Sequence, residues 1–215
     1  MLDYFAIQDL LSDEEREVQK AARKFLEAEA LPHISSWWEE GKFPTQLIKK
    51  FGKMGFLGPT IPPEYGGAGV SGAAYGLIAY ELERIDSGLR SFASVQSALV
   101  MYPIYAFGSE EQKQQYLTPL AQGKKDGELY IGAFLLSEPE AGSDATSQRT
   151  IAEDMGDYYL VNGTKNWITN GNSASVYLVM AQTDASKGSR GINTLIVEKN
   201  WPGVVVSGKE NKLGI

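Results

Sequence analysis

Two segments of the sequence combine an apolar run with small polar residues, in the order that a large bound cofactor requires. The first runs from Phe134 to Asp144 and the second from Asn162 to Gly171. Both offer backbone amides and hydroxyls after a strand-like run, and the second adds the face of Trp167. Buried phosphate oxygens need such donors, and a planar ring needs an aromatic or apolar wall. The pair therefore predicts a flavin site.

Each segment alone also fits a purely structural role. Gly142-Ser143-Asp144 is a common turn sequence, and Trp167 could be a core aromatic. Both segments together, after a helical region, favour the cofactor. The donors and walls expected from residue type are Phe134, Leu136, Ser137, Gly142, Ser143, Trp167 and Thr169.

Composition excludes several classes of function. A net charge of −7 argues against nucleic acid as a partner. The absence of cysteine excludes disulfides, iron–sulfur clusters and thiol catalysis, and a single histidine, His33, leaves no metal site to expect. No apolar run approaches the ~18 residues of a membrane span, and the first residues lack a basic export signal, so a cytoplasmic protein is expected.

The first half of the sequence has helical periodicity. Ser12 with Glu15, and Ser109 with Gln112, predict capping boxes that open helices ending near Pro32 and Gly123. The remaining predicted helices begin at Phe43, run from Ser71 to about Ile85, and run from Arg90 to Phe107 with a kink or break at Pro103. A proline- and glycine-rich loop is expected from Gly55 to Gly69.

The second half has the pattern of short strands separated by turns. Strands are expected at Leu129–Leu136, Ser147–Ala152, Tyr158–Val161, Val176–Ala181, Thr194–Val197 and Trp201–Ser207. The predicted fold class is α+β, with an all-helical domain over 1–125 followed by an antiparallel β-barrel or sandwich domain over 126–215. Because the helices lack further helices to pack against, the chain is expected to be a fragment.

Longer motifs resemble the acyl-CoA dehydrogenase family across the whole chain. Ser137 to Asp144 is similar to the family's Ser/Thr-Glu-Pro-x-Ala-Gly-Ser-Asp segment, and Asn162 to Asn170 to its Asn-Gly-x-Lys-x-Trp-Ile-Thr-Asn segment. Glu64 to Gly67, Gly108 to Lys113 and Lys212 to Ile215 are also typical of it. The resemblance implies FAD as the cofactor, contacted by Phe134, Leu135, Leu136, Ser137, Gly142, Ser143, Trp167, Ile168 and Thr169, with Ser143 also near the CoA part of the substrate.

The resemblance also implies a reaction. Family members desaturate an acyl-CoA thioester at the α,β bond, using a glutamate as base, and pass electrons to an electron-transfer flavoprotein. In most members that glutamate lies in a C-terminal helical bundle, which we expect to be absent here, with the base beyond Ile215. No residue of the chain is therefore named as catalytic. A homotetramer is implied for the full-length protein, and the chain alone is expected to be inactive.

The stretch from Glu81 to Ser97 resembles glutaryl-CoA dehydrogenases. It places Glu83, Arg90, Ser91 and Ser94 near the acyl group, with Arg90 and Ser94 gripping a distal carboxylate. Glutaryl-CoA, with decarboxylation to crotonyl-CoA as a further step, is thus one expected substrate. Phe134 to Ser137 and Asp144 to Thr146 look more like butyryl-type enzymes, which leaves a short-chain substrate open. A surface pairing of Arg90 with Glu83 or Asp86, a flavin oxidase or monooxygenase, and an inactive fragment also remain open.

Overall fold

The structure, a computed structural model, describes residues 4–210 and residue 212. The chain divides into two compact units, one through Tyr130 and one from Ile131 to Lys212. The first is helical and the second is built on a β-sheet, which confirms the predicted order. The helices are α1 (Ile7–Leu10), α2 (Asp13–Glu29), α3 (Ile34–Glu39), α4 (Gln46–Lys53), α5 (Gly72–Ile85), α6 (Ser87–Ser94), α7 (Tyr102–Phe107) and α8 (Glu110–Gln122).

Side-chain caps fix where several helices begin. The Ser12 hydroxyl accepts from the Glu15 N–H, and the Glu15 carboxylate accepts from the Ser12 N–H, as the sequence predicts for α2. The predicted box of Ser109 and Gln112 opens α8 in the same way. The helix expected from Arg90 begins three residues earlier, because the Asp86 carboxylate accepts from the Leu89 N–H at 2.9 Å.

Buried aromatic rings form the core of the helical unit. Phe51, Phe56 and Phe92 are almost fully buried, and Phe25 of α2 makes edge contacts with Phe51 and Phe56 at centroid separations of 6.2 and 5.6 Å. Burial of each such ring stabilises the fold by roughly 1.5–3 kcal/mol. Phe51 of α4 also lies 6.4 Å from Phe92 of α6, so the ring contacts hold α2, α4 and α6 together, with Phe56 contributed by the loop after α4.

A buried carboxylate joins α2 to α5. Glu81 is fully buried and accepts two hydrogen bonds from Arg23, at 3.1 and 2.8 Å, one from Arg84 at 2.9 Å and one from Gln19 at 3.0 Å. Burial raises the pKa of Glu81, but these donors outweigh it and lower the pKa below its usual value. The charge therefore remains inside the unit and fixes α5 on α2.

The helix around Pro103 departs from the expected kink. Val95–Met101 forms a π-helical stretch between α6 and α7, and Pro103 lies in the first turn of α7. Proline has no N–H and its ring crowds the carbonyl four residues earlier, so the wider π turns accommodate the missing hydrogen bond without breaking the helix. The π turns carry the buried polar side chains Gln96 and Ser97.

The loop before α5 depends on close backbone contacts. A short 3-10 turn at Pro63–Tyr65 is followed by Gly66 with φ of 86° and by Gly67. A Cβ atom at Gly67 would lie 2.0 Å from the carbonyl oxygen of Ile61. Only glycine therefore fits at position 67. A hairpin of β1 (Lys124–Lys125) and β2 (Glu128–Leu129) completes the unit.

The second unit contains a five-stranded sheet of mixed direction. Its strands are β3 (Gly132–Leu135), β4 (Ile151–Asp154), β5 (Tyr159–Asn162), β6 (Val176–Gln182) and β7 (Ile192–Glu198). β6 runs parallel to β3 and β4 and antiparallel to β7, and β4 runs antiparallel to β5. The antiparallel direction predicted for all strands is therefore wrong for the β3–β6 and β4–β6 pairs. Periodicity shows which residues face the core but carries no information on strand direction.

The strand predicted at Trp201–Ser207 is also wrong, since no part of it is a strand. Gly203 has φ of 87°, and the Val204 N–H donates to the Trp201 carbonyl, so the chain turns there. Val205 is 85% exposed. The apolar residues of this segment thus match the pattern of a strand, but no strand among the described residues pairs with them.

Candidate functional site

β3 is an edge strand whose end leads into the first predicted segment. Within the part of the chain that the structure describes, β3 pairs with β6 on one side only. From Phe134 through Ser137 the residues are partly exposed, after the buried Ala133. An edge strand leaves backbone groups available to a ligand, which suits a cofactor that needs amide donors.

The second predicted segment follows β5 as a series of turns. Trp167 has φ of 61°, a left-handed conformation that is costly for a bulky residue, and Asn170 has φ of 67°, which asparagine adopts more readily. The Asn170 side chain donates to the Gly132 carbonyl at 3.1 Å and secures the segment beside β3. Trp167 is 62% exposed, so it does not serve as a core aromatic. Strained, exposed aromatic residues of this kind suit a ligand-contacting role.

The structure brings the two predicted segments together. The Asn166 N–H donates to the Ser137 carbonyl at 2.9 Å, and the Lys165 ammonium donates to the Leu136 carbonyl at 3.0 Å. Trp167 directly follows these two residues in sequence. The residues at the end of β3 and the Trp167 region therefore form one continuous surface of the second unit.

A buried ion pair beneath this surface is not predicted from the sequence. Lys165 and Glu138 lie 2.8 Å apart, and their side chains are 6% and 3% exposed. Glu138 also accepts from the N–H groups of Arg149 and Thr150 and from the Thr150 hydroxyl. Glu138 and Lys165 carry opposite charges, one in each motif, but their contact spans 27 residues, so no local pattern in the sequence signals the pair.

Hydrogen bonding keeps Glu138 ionised despite its burial. Burial raises the pKa of this carboxyl, but the donors from Arg149, Lys165 and Thr150 outweigh it and hold the pKa at about 2. Burial lowers the pKa of Lys165, and the attraction of Glu138 opposes that change. Glu138 is therefore ionised at neutral pH, and its carboxylate favours the ammonium form of Lys165.

Several predicted donors in the second unit remain available to a ligand. Among the described residues, the hydroxyls of Ser137, Ser143 and Thr169 make no hydrogen bond. Gly142 and Ser143 are exposed, and a Cβ atom at Gly142 would meet nothing within 4 Å. Ile168 is partly exposed and lies between Trp167 and Thr169. Free hydroxyls, an edge strand and an exposed indole form a donor set and wall that fit a flavin.

The predicted acyl-group residues lie together in the first unit. Arg90 Nε donates to Glu83 at 2.6 Å, and Arg90 Nη1 lies 3.4 Å from the Ser94 hydroxyl. Ser94 also donates to the Ser91 carbonyl at 3.1 Å. The hydrogen bond from Arg90, with a second from Ser87, lowers the pKa of Glu83. Arg90 thus makes both the surface pairing with Glu83 and the Ser94 contact expected of the carboxylate site.

Three further features of the described residues concern metal ligands, membrane-spanning helices and a cavity away from the predicted flavin and acyl-group residues. No three potential metal ligands among histidine, cysteine, aspartate and glutamate come together in residues 4–210 and 212. Over the same residues, no helix has both the length and the apolar character needed to span a membrane. A surface cavity of about 400 Å³ in the first unit is lined by Lys49, Gly52, Lys53, Gln122 and Lys124, none of which is a predicted site residue.

Comparison with known proteins follows the same division of the chain. The family described as acyl-CoA dehydrogenase, N-terminal domain, matches residues 12–124, and that described as acyl-CoA dehydrogenase, middle domain, matches residues 133–215. A relative named acyl-CoA dehydrogenase from Bacillus subtilis is 42% identical over 95% of this chain and 53% of its own. The chain thus spans about half the length of the curated relatives it matches.

Solved structures agree with the sequence comparison. A glutaryl-CoA dehydrogenase from Mycobacterium smegmatis, in complex with FADH2, superposes with a TM-score of 0.90 and 42% identity over 99% of this chain and 52% of that one. A butyryl-CoA dehydrogenase from Megasphaera elsdenii superposes with a TM-score of 0.87 and 37% identity over 99% of this chain and 54% of that one. From its two domain matches, its helical and β units and its paired motifs, this chain belongs to the acyl-CoA dehydrogenase family.

Proposed function

We propose that the polypeptide carrying this chain is an FAD-dependent dehydrogenase that removes hydrogen from the α and β carbons of a short acyl-CoA. The observation that carries the proposal is the meeting of the two motifs, through the bonds from Lys165 and Asn166 to the end of β3. FADH2 in a relative of high structural similarity supports the choice of cofactor. When bound, FAD supplies the two-electron oxidant.

The chain's own residues bind and orient both reactants. The hydroxyls of Ser137 and Thr169 and the backbone amides of the partly exposed residues Phe134, Leu135 and Leu136 donate to the flavin. Trp167 and Ile168 cover one side of its ring. Gly142 and Ser143 contribute to the phosphate-bearing parts of the ligands. We assign no catalytic base to the described residues. An electron-transfer flavoprotein as electron acceptor and a homotetramer belong to the same proposal.

For the substrate we propose glutaryl-CoA, with decarboxylation to crotonyl-CoA as its further step. Arg90 is the group that would meet the distal carboxylate, with Ser94 one turn later on the same helical face and Glu83 holding the guanidinium. Ser91 joins this set through its carbonyl, which accepts from the Ser94 hydroxyl. Because Arg90 is about one third exposed, a carboxylate can reach it without removal of a buried side chain.

One observation favours butyryl-CoA as the second candidate. Glu83 already pairs with Arg90, so this arginine needs no carboxylate from the substrate to balance its charge. A substrate without a distal charge would then leave the pair undisturbed. The butyryl-CoA dehydrogenase among the solved structures is consistent with this candidate.

The cofactor and the reaction are tested in turn. Titration of the purified chain with FAD is expected to quench flavin fluorescence, with FMN binding more weakly. Anaerobic addition of glutaryl-CoA or butyryl-CoA to the FAD-loaded polypeptide that carries the chain is expected to bleach the flavin absorbance. Failure of both thioesters to bind or bleach would reject the reaction, and oxygen consumption after reduction would favour an oxidase.

The substrate is tested by Arg90→Ala. Loss of the ion pair between Arg90 and the distal carboxylate of the substrate is expected to lower kcat/KM for glutaryl-CoA. The decrease corresponds to ~2 to 4 kcal/mol of transition-state binding, and kcat/KM for butyryl-CoA is expected to change little. Arg190→Ala is the matched control, because Arg190 is an exposed arginine of the second unit outside every predicted site. An equal loss on both thioesters would reject the carboxylate role of Arg90.

A further inference from the structure

Three stretches of chain meet at the side chain of Glu138 in the second unit. Glu138 itself follows Ser137, Lys165 comes from the segment after β5, and Thr150 comes from the entry to β4. One oxygen of Glu138 accepts from both Lys165 and the Thr150 hydroxyl, and the other accepts from the Arg149 N–H. We call Glu138, Thr150 and Lys165 the Glu138 cluster.

Lys165 connects this cluster directly to the predicted flavin surface. Its ammonium has three acceptors, which are the Leu136 carbonyl at 3.0 Å, Glu138 at 2.8 Å and the Gln148 side chain at 2.8 Å. Three acceptors satisfy all three N–H bonds of an ammonium group. Lys165 is therefore fixed in place, and it fixes the carbonyl of a residue predicted to contact the flavin.

Stability alone does not account for such a pair. Removing two charges from water costs about as much as their attraction returns, so a buried ion pair is on balance no better than an apolar pair of the same volume. What a fully hydrogen-bonded pair adds is a single allowed geometry. The geometry fixed here is the approach of Lys165 and Asn166 to Leu136 and Ser137.

Two further contacts restrict the same segment. A Cβ atom at Gly163 would lie 2.2 Å from the Thr150 hydroxyl oxygen, so the turn before Lys165 packs directly on the cluster. Trp167, which follows Asn166, has the strained φ of 61°. A left-handed backbone at a bulky residue persists only where its surroundings determine it. The Glu138 cluster holds Lys165, two residues before Trp167, and so helps to keep Trp167 in its strained conformation.

We infer that Lys165 and Glu138 are positioning residues, which hold the Trp167 segment at a fixed distance from Ser137 so that both contact one flavin. The identity of the ligand rests on the proposed function, whereas the ordering of the segment does not. Neither residue touches the ligand in this proposal. They act through the Leu136 carbonyl and through the backbone around Trp167.

The test is Lys165→Met, which removes the ammonium and keeps the length of the side chain. Hydrogen exchange of the Asn166 amide is expected to accelerate by about tenfold or more, and the FAD dissociation constant to rise by a similar factor, as for loss of a hydrogen bond from a charged donor. Exchange in β6 and β7 is expected to stay unchanged. Lys187→Met is the matched control, because Lys187 forms an exposed pair with Asp184 in the same unit.

A second variant tests the inference even if Lys165→Met does not fold. Thr150→Val removes the hydroxyl that donates to Glu138 without changing charge or shape, and both readouts are expected to move in the same direction by about threefold. Thr183→Val, which removes another hydroxyl of the second unit, is its control. If Lys165→Met does not fold, an unchanged Thr150→Val overturns the inference.

The remaining outcomes separate the inference from the function. Unchanged exchange at Asn166 and unchanged FAD affinity in Lys165→Met overturn the inference. Equal acceleration across β6 and β7 also overturns it, since the pair would then only stabilise the unit. Faster exchange at Asn166 in a chain whose wild type binds no FAD supports the ordering role and rejects the proposed cofactor.

Discussion

At the residue scale, the low pKa of Glu138 predicts how stability depends on pH. The pKa is lowered from 4.5 to about 2, which at ~1.4 kcal/mol per unit corresponds to about 3 kcal/mol. Because the folded state binds the proton more weakly than the unfolded state, this contribution is complete above pH 4.5 and is lost as the pH falls towards about 2. Glu138→Gln is therefore expected to be less stable than wild type at neutral pH, with a difference that shrinks through this window.

Urea unfolding of both proteins at a series of pH values measures that difference. Asp184→Asn provides the comparison, because Asp184 also has a pKa of about 2 but owes it first to the exposed Lys187, and then to Ser186. Its difference from wild type is expected to be small throughout. A constant difference between wild type and Glu138→Gln across the window would contradict the assignment.

At the scale of the element, one glycine in the loop before α5 and one inside α5 are expected to respond in opposite ways to substitution by alanine. Gly67→Ala would place a Cβ 2.0 Å from the Ile61 carbonyl oxygen, and the backbone must move to admit it. We expect a loss of about 3 kcal/mol in the free energy of unfolding, as for overpacking of a rigid site. The measurement is urea unfolding followed by circular dichroism.

Gly76→Ala is the matched control within the same unit. Gly76 lies inside α5, and a Cβ atom there would meet nothing within 4 Å. Alanine is the better helix former, so the variant is expected to gain up to ~1 kcal/mol. Two losses of similar size would show that glycine is needed for its flexibility and not for the close contact at position 67.

The elements that the sequence predicts best are those fixed by local patterns. Ser12 with Glu15 defines the start of α2 because both partners lie within one turn. Pro103 marks a disturbed helix, but the proline alone does not distinguish a π-helical stretch from a kink. The parallel pairing of β3 with β6 joins residues more than forty positions apart, so no local pattern signals it. Trp201–Ser207 fails for the same reason, since a strand requires a partner.

The candidate site, too, could be predicted only where its residues form patterns that are local in the sequence. The motifs around Ser137 and Trp167 are recognisable because the groups that meet a ligand are continuous in sequence. Glu138 and Lys165 stand in those motifs, but their role depends on a contact across 27 residues and on burial, neither of which the sequence shows. Since charged residues are mostly exposed, residue type alone does not indicate a buried pair.

At the scale of the whole molecule, cofactor binding predicts a shift in stability. A ligand that binds only the folded state adds about 2.7 kcal/mol when its free concentration is about a hundred times the dissociation constant. FAD is expected to raise the unfolding free energy of the chain by this amount, with FMN at the same concentration raising it less. Urea unfolding by circular dichroism, with and without each nucleotide, measures both. An equal effect of FAD and FMN would contradict a site that contacts the adenosine half.

The pairing of β3 with β6 also bears on how the protein is made. Gly132 pairs with Val176 and Leu135 with Val179, so the strand that leads to the predicted flavin surface has its partner more than forty residues later. A chain emerging from the ribosome must expose Val176 to Gln182 before β3 can enter the sheet. During synthesis β3 therefore has no strand partner until more than forty further residues have been added, and its apolar side chains stay unpaired for that time.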